Sequence, residues 1–262
     1  MKITHASAKP SHYNKEAESY DAFNENSSKP INQFIEDILK KHGVKTVLDL
    51  TCGTGSQVFW LANRGYEVIG ADINANMLKI ARSKAKKEKL PLKFIQGDMR
   101  SLKVGEFDAV VTIFNAVGHL TKLDFEAAIR NVHQNLKEGG LYIFDIFNLS
   151  YLLDGNNITK LTIDWQEIVG GTKVREIQYS IINEDGILAS YDIYYEQKRD
   201  DAPKITKSSQ TLQVYTASQL QEMLHKNGFK VLDQCGIDGS MFIENKNERI
   251  LTIAKKQEQT RF

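Results

Sequence analysis

The sequence predicts an α/β chain, a doubly wound parallel sheet carrying an antiparallel β insertion after its fifth strand. Three observations predict it. Up to Asp145, five short apolar runs alternate with segments of helical spacing; from Phe147 to Tyr215 the spacing becomes strict alternation; after Tyr215 the helix-then-strand rhythm returns. Residues 1–30 are polar, with aromatics at Tyr13, Tyr20 and Phe23, and read as an N-terminal arm. Ile31, Phe34, Ile35, Ile38 and Leu39 follow the spacing of an amphipathic helix that ends at Gly43. Thr46 to Leu50 is the first strand, then a Gly-rich turn and a helix with Val58, Phe59 and Leu61 that stops at Gly65. Tyr66 to Ala71 is the second strand, followed by a helix holding Met77, Leu78, Ile80 and Ala81. Leu92 to Gln96 is the third. Phe107 to Phe114, apolar on both faces, is the fourth and belongs in a buried parallel sheet. Helical spacing in Phe125, Ile129, Val132 and Leu136 closes at Gly139 and Gly140, before a fifth strand at Leu141 to Asp145.

In the insertion, Ile177, Tyr179 and Ile181 face Tyr191, Ile193 and Tyr195 across the turn Asn183 to Gly186, with a further strand near Lys207 to Tyr215. Tyr179, Tyr191, Tyr194 and Tyr195 fall on alternating faces, so one face alone can form a wall. A helix at Ser218 to Asn227 and strands at Phe229 to Gln234 and Glu248 to Ala254 close the chain. The expected division is an arm at 1–30, a core domain from 31–146 with 216–262, and an insertion at 147–215 acting as substrate lid or dimer interface.

With 262 residues, 41% hydrophobic and 26% charged, the chain has ordinary globular composition and reads as a soluble folded protein. Its 34 Lys plus Arg against 33 Asp plus Glu leave +1, so no global field favours nucleic acid or an acidic membrane surface. Cys52 and Cys235 make no disulfide framework and no metal-ligand cluster surrounds them, which points to a reducing, cytoplasmic compartment. The N-terminal residues lack the apolar stretch of a targeting segment, and no apolar run approaches the roughly 20 residues of a bilayer span.

The turn after the first strand carries the chemistry. In VLDLTCGTGSQVFWLA, Gly53 and Gly55 sit where a strand ends and a helix begins, at the strand tips where open α/β sheets bind ligands. The pyrophosphate fingerprint G-x-G-x-x-G is not met, because its third position is Val58, and Asp49 would set a negative charge beside phosphates. An acidic strand end suits a cationic ligand. Asp72 ends the second strand 19 residues beyond Gly53, placed to accept both hydroxyls of a ribose. Asp98 directly follows the third strand, where a carboxylate can accept from an adenine amino group while Ile73 and Met99 cover the ring.

DLTCGTG, ADIN followed by Met77 and Leu78, and GDM together resemble the class I S-adenosylmethionine (SAM)-dependent methyltransferases over roughly Tyr13 to Ala254. Within them the sequence is similar to small-molecule enzymes, the amino-sugar and glycine-type N-methyltransferases, which share a β insertion after strand five, an arm with a Tyr, and a D-M-R triplet such as Asp98, Met99, Arg100. The resemblance implies a Rossmann-like seven-stranded sheet ending in an antiparallel hairpin, SAM as cofactor and S-adenosylhomocysteine as product. It implies that Gly53 and Gly55 line the methionine part, that Asp49 holds the amino group through its neighbours, and that Asp72 takes the ribose. Asp98 takes the adenine with Asn115 as its floor, and Tyr13 and Tyr20 close the arm over the cofactor.

On the acceptor side, Asn115 is followed by Ala116 and Val117, so the Asn/Asp-Pro-Pro-aromatic tetrad of nucleic-acid and glutamine methyltransferases is absent. His119, a few residues past strand four, is the candidate base, and Tyr13 a candidate to orient an amine; both have plain structural readings. Asp145 and Asn148 read as structural, and no metal is expected. The expected activity is N-methylation of a small-molecule amine, with O-methylation of a hydroxyl or carboxylate and non-catalytic SAM binding as open alternatives. The partner is a small-molecule acceptor, with neither nucleic acid nor membrane, and with homodimerisation left open.

Overall fold

The computed structural model describes residues 3–11, 20–199 and 201–257, with backbone alone for residues 20–27. Tyr13 therefore lies outside the described residues, as does the side chain of Tyr20. The strands in chain order are β1 (Thr46–Asp49), β2 (Glu67–Asp72), β3 (Lys93–Gln96), β4 (Phe107–Thr112), β5 (Leu136–Phe147), then β6 (Ile163–Val169), β7 (Thr172–Ile182), β8 (Ile187–Lys198), β9 (Lys204–Gln213), and finally β10 (Phe229–Cys235) and β11 (Arg249–Lys256). The helices are α1 (Tyr20–Lys41), α2 (Ser56–Ala62), α3 (Ala75–Glu88), α4 (Lys122–Gln134), α5 (Leu149–Leu153) and α6 (Ala217–Lys226). Seven strands form one sheet in the order β10-β11-β5-β4-β1-β2-β3, parallel except for β11, which runs antiparallel to both β5 and β10. The insertion after β5 is a separate antiparallel sheet, β6-β7-β8-β9. The seven-stranded α/β sheet with an insertion after its fifth strand is the architecture the sequence predicts.

Alternation along the central strands divides the core in two. Val47 of β1 packs with Ile35, Val58, Leu61 and Leu78 on the α1–α2–α3 face, while its neighbour Leu48 packs with Phe125, Ile129, Leu220 and Leu224 on the α4–α6 face. Both β1 residues are fully buried, as parallel strands covered by helices require. β11 pairs with β5 in unbroken antiparallel register and with β10 across a register shift between Val231 and Asp233, and Tyr142 and Phe229 meet in the same core cluster.

Four details differ from the sequence expectation. α1 begins at Tyr20 and carries Pro30 inside it, so the change of character at Ile31 marks where the helix meets the core and not where it starts. α4 ends at Gln134, short of Gly139. The buried Asn135 ends it, its side chain donating to Leu102 O and Asn131 O and accepting from Val104 N, and β5 starts at once at Leu136. α5 and a 3-10 turn at Asn157–Leu161 follow β5, and β6 adds a fourth strand to the insertion. All seven β6 residues are exposed, so no face was selected for apolar residues and the strand left no alternation to read. In the insertion sheet Tyr179 pairs with Tyr191, their rings stacked at 5.0 Å, and Arg175 pairs with Tyr195. Tyr179, Tyr191 and Tyr195 thus share one face and Tyr194 the other.

The β7–β8 turn packs closely on the segment that follows β9, with Val214 N donating to Gly186 O at 2.8 Å. Gly186 has φ +78, and a Cβ there would lie 2.4 Å from the carbonyl oxygen of Val214. Gly186→Ala is therefore expected to lower the melting temperature by more than about 5 °C, and Gly170→Ala, equally left-handed but in open space, by clearly less. Thermal denaturation followed by circular dichroism checks this, and equal losses would remove the packing argument.

Candidate functional site

The C-terminal tips of β1, β2, β3 and β4 converge on one crevice. After β1 the chain turns at once: Cys52 N donates to Ala71 O at 2.9 Å and Gly55 N to Cys52 O at 2.7 Å, with Gly53 at φ +53 and Gly55 at φ +93. Gly53 presents open space where a Cβ would stand. A Cβ on Gly55 would meet Phe59 at 2.8 Å and Phe94 at 3.4 Å, so Gly55 is required for close packing and is not among the residues lining the crevice.

Asp72, at the tip of β2, accepts from Gly53 N and from Asn74 N, each at 2.8 Å, which ties the Gly-rich turn to the start of α3. Asn74 caps α3 by accepting from Asn76 N and Met77 N. Asp49, 4% exposed at the tip of β1, accepts from Thr51 N at 3.1 Å. Burial pushes its carboxyl up from 3.8 to about 7, against the pull of the Thr51 N–H and with help from the neighbouring Asp72 charge. Burial raises Asp72 as well, against the N–H groups of Asn74, Gly53 and Ile73.

Asp98 behaves differently. Burial would raise it too, but the Arg100 guanidinium and backbone N–H hold it below the usual carboxylate range. Arg100 N donates to Oδ1 at 2.8 Å, Nε lies 3.0 Å from both oxygens and Nη2 is 2.5 Å from Oδ2. Little acceptor capacity remains on Asp98 for anything else while Arg100 stays there. Arg100 Nη1 reaches on to Asp124 at 2.7 Å, and Asp124 also accepts from the Ser7 hydroxyl.

Residues 3–11 lie over the crevice as a strap. His5 Nδ1 meets Thr211 Oγ1 of the insertion at 2.9 Å, Ser7 Oγ accepts from Thr121 N at 2.9 Å, and Ala8 N donates to His119 O at 2.8 Å. Beneath it lies a concave cleft at the strand tips. Asp72, Ile73, Met77, Asp98, Met99, Gly53 and His119 all line it, together with Phe114, Ala116 and Leu120. A second lobe, reached past Thr51, Gly53, Ile113 and Phe114, is lined by Asp49, Gln57, Thr54 and Lys84. The structure thus brings together Asp49, Gly53, Asp72, Ile73, Met77, Asp98, Met99 and His119.

Asn115 stands at the edge of this group, in a turn that costs backbone strain. Phe114 and Asn115 follow β4 with φ +65 and +58, a left-handed pair in which each non-Gly residue costs on the order of 1–3 kcal/mol. Among the described residues, Asn115 Oδ1, Thr51 Oγ1 and both side-chain polar atoms of Gln57 are buried with no hydrogen-bond partner. Buried polar groups are normally paired, so these orphans mark a surface shaped for a polar ligand. Thr51, Asn74, Gln57 and Phe114 were missed in the sequence. Gln57 alone gave a signal, a polar residue beside Val58 and Phe59 on a short helix with four buried positions.

Asp145 and Asn148, weighed as metal ligands, are engaged otherwise. Asp145 accepts from Phe114 N and Arg249, and Asn148 donates to Glu244 O and Asn247 O while capping α5. Among the described residues no helix is long and apolar enough to cross a membrane.

Residues 47–140 match the family described as a methyltransferase domain. A glycine/sarcosine N-methyltransferase of Parasynechococcus marenigrum is 36% identical over 131 residues, 48% of this chain and 46% of that protein. A dTDP-3-amino-3,6-dideoxy-alpha-D-glucopyranose N,N-dimethyltransferase of Streptomyces fradiae is 26% identical, covering 68% of this chain and 69% of that one. In fold, the chain is similar to a S-adenosylmethionine-dependent methyltransferase from Clostridium acetobutylicum, with TM-score 0.74, 21% identity, and coverage of 94% and 99%. Fold and matched segment together define a methyltransferase domain. Residues 47–140 are a methyltransferase domain of the SAM-dependent kind, class EC 2.1.1. The crevice fits that cofactor: strand-tip acids with no cationic side chain against them among the described residues, unpartnered polar atoms at Thr51 and Gln57, and an open Gly53 where a side chain would intrude.

Because folding raises the Asp49 carboxyl from 3.8 to about 7, the folded state binds the proton more tightly and stability falls as pH rises through that window. Asp49→Asn is expected to melt higher than the parent at pH 8 without ligand, the advantage shrinking towards pH 5. Scanning fluorimetry across pH 5–8 measures it; a constant difference would refute the buried-acid assignment.

Proposed function

We propose that the chain methylates a small molecule, most directly at an amine nitrogen, with SAM as donor. The observation that carries the proposal is that His119 and the strand-tip carboxylates line one cleft covered by the N-terminal strap. The relatives named for glycine and amino-sugar N-methylation support the acceptor class, and so does the absence of an Asn-Pro-Pro-aromatic tetrad at Asn115.

When bound, SAM supplies an electrophilic methyl group on a sulfonium. The protein's part is to align the acceptor and exclude water, for which effective molarities of about 10⁵ M or more need no covalent residue. In this reading Asp72 holds the ribose hydroxyls with the lone pairs that Gly53 N and Asn74 N leave free. Ile73, Met77 and Met99 cover the adenine, whose amino group meets Asp98 once Arg100 moves aside, with Asn115 beneath. Gly53 lets the methionine end approach the turn, and Asp49 balances its positive charge from the second lobe. An amine must be neutral to attack; His119 takes its proton, and Tyr13 and Tyr20 of the arm close the site. The insertion is the acceptor's roof, offering the face that holds Tyr179, Tyr191 and Tyr195; the same sheet is the candidate surface for a homodimer.

His119→Ala is expected to lower turnover about 100-fold in a screen of small amines while SAM affinity by calorimetry stays within roughly twofold. Equal losses in both would return His119 to a structural role, and methylation of alcohols or carboxylates alone would replace the amine. Asp72→Ala is expected to weaken SAM binding by about tenfold or more. Unchanged affinity would refute the ribose assignment.

A further inference from the structure

Asp145 is fully buried at the end of β5, yet it lines no part of the cleft. Its Oδ1 accepts from Phe114 N at 2.6 Å, and its Oδ2 is paired with Arg249 at the start of β11, whose side chain is 16% exposed. The guanidinium carbon sits 5.9 Å from the ring centres of both Phe114 and Phe147. A buried ion pair is poor value as a source of stability, because desolvating both charges offsets most of their attraction. What this pair does is local: it grips the first residue of the left-handed Phe114–Asn115 turn by its backbone N–H, a charge-assisted bond to the peptide that sterics disfavour. Phe114 lines both lobes of the crevice, and the turn leads straight into the 3-10 helix Ala116–His119 that presents His119.

We propose that Asp145 and Arg249 form a positioning pair that holds the Phe114–Asn115 turn in its left-handed conformation, and through it the cofactor-side ring and the acceptor-side segment ending at His119. The proposal rests on the cofactor reading above and adds two residues that touch neither ligand. Without the grip, the turn relaxes towards ordinary backbone geometry, Phe114 leaves the partition between the lobes, and Asn115 Oδ1 is no longer presented. The pair acts as a unit, so removing either member costs what removing both costs.

The test uses the full chain and S-adenosylhomocysteine as probe. Asp145→Ala, Arg249→Met and the double variant are compared by calorimetry, well below each variant's melting temperature. Each single variant is expected to lose about tenfold or more in affinity, and the double variant no more than either single one. Adding Asn115→Gly, which adopts positive φ without cost, is expected to remove less affinity from Asp145→Ala than from the parent. A structural role alone would lower melting temperatures and leave the affinity of folded protein within roughly twofold, and that result, or additive losses, overturns the proposal. If Asp145→Ala does not fold, Arg249→Lys decides by the same readout, since a lysine keeps the charge but loses the planar guanidinium that sits beside the Phe114 and Phe147 rings, and should bind more weakly than the parent. A parent protein that fails to bind the probe would sink the cofactor reading itself; a parent that binds alongside unaffected variants sinks only the positioning pair.

Discussion

Two carboxylates at adjacent strand tips, Asp49 buried and Asp72 partly so, govern this molecule. Asp49 and Asp72 end neighbouring parallel strands, and among the described residues neither is paired with a cationic side chain. Backbone N–H groups from the Gly-rich turn and the start of α3 are what each receives in its place. Such an arrangement costs free energy in the empty protein and recovers it when positive charge arrives, which is how a binding site is built from groups that destabilise the fold. The rest of the sheet supplies the rigidity that the arrangement needs. Leu48 and Leu50 bury the strand carrying Asp49, and Ala71 locks the turn to β2 through Cys52 N.

Asp98 shows the other solution to the same problem. It stands at the third strand tip and is partly buried, but Arg100 neutralises it and extends the connection through Asp124 to Ser7 of the strap. Two of the three strand-tip acids thus receive backbone N–H groups alone, while the third is already neutralised by a protein side chain. A ligand reaching Asp98 competes with Arg100, and Arg100 is linked by one carboxylate to the segment that covers the cleft. Occupancy of the third tip and the seating of the strap are therefore joined by direct hydrogen bonds.

How much of this was legible follows from what each element buries. β1 and β4 could be read because parallel strands covered on both faces must be apolar throughout, and Leu48, Val110 and Val111 are. Asp49, Asp72 and Asp98 could be read because a carboxylate directly after such a run is held at a strand tip. β6 could not, since a strand exposed along its whole length puts no periodicity into its residues. Nor could the end of α4, where Asn135 makes with its side chain the hydrogen bonds that a glycine terminus would have left to the backbone. The Asp145–Arg249 pair was illegible for a different reason: its partners lie 104 positions apart and meet only when β11 comes back antiparallel beside β5. Asp145 was visible as an acid at a strand end, and nothing local distinguished a metal ligand from a grip on the neighbouring turn.

The two parts of the chain that lie outside the parallel sheet meet over the same opening. His5 of the strap binds Thr211 of the insertion's last strand, while Ala8 binds the carbonyl of His119, so the strap bridges the insertion and the segment after β4. Gly118 explains why these pieces sit so close: a Cβ there would strike Ile146 at 2.7 Å and the Gln213 carbonyl at 3.3 Å, so only glycine lets the 3-10 helix settle between β5 and the end of β9. Gly186 makes a similar close approach inside the insertion, where the β7–β8 turn meets Val214 just after β9. The insertion is thus set beside the His119 segment by the Gly118 contact and by one strap, so its position there is held by packing and not by a flexible linker.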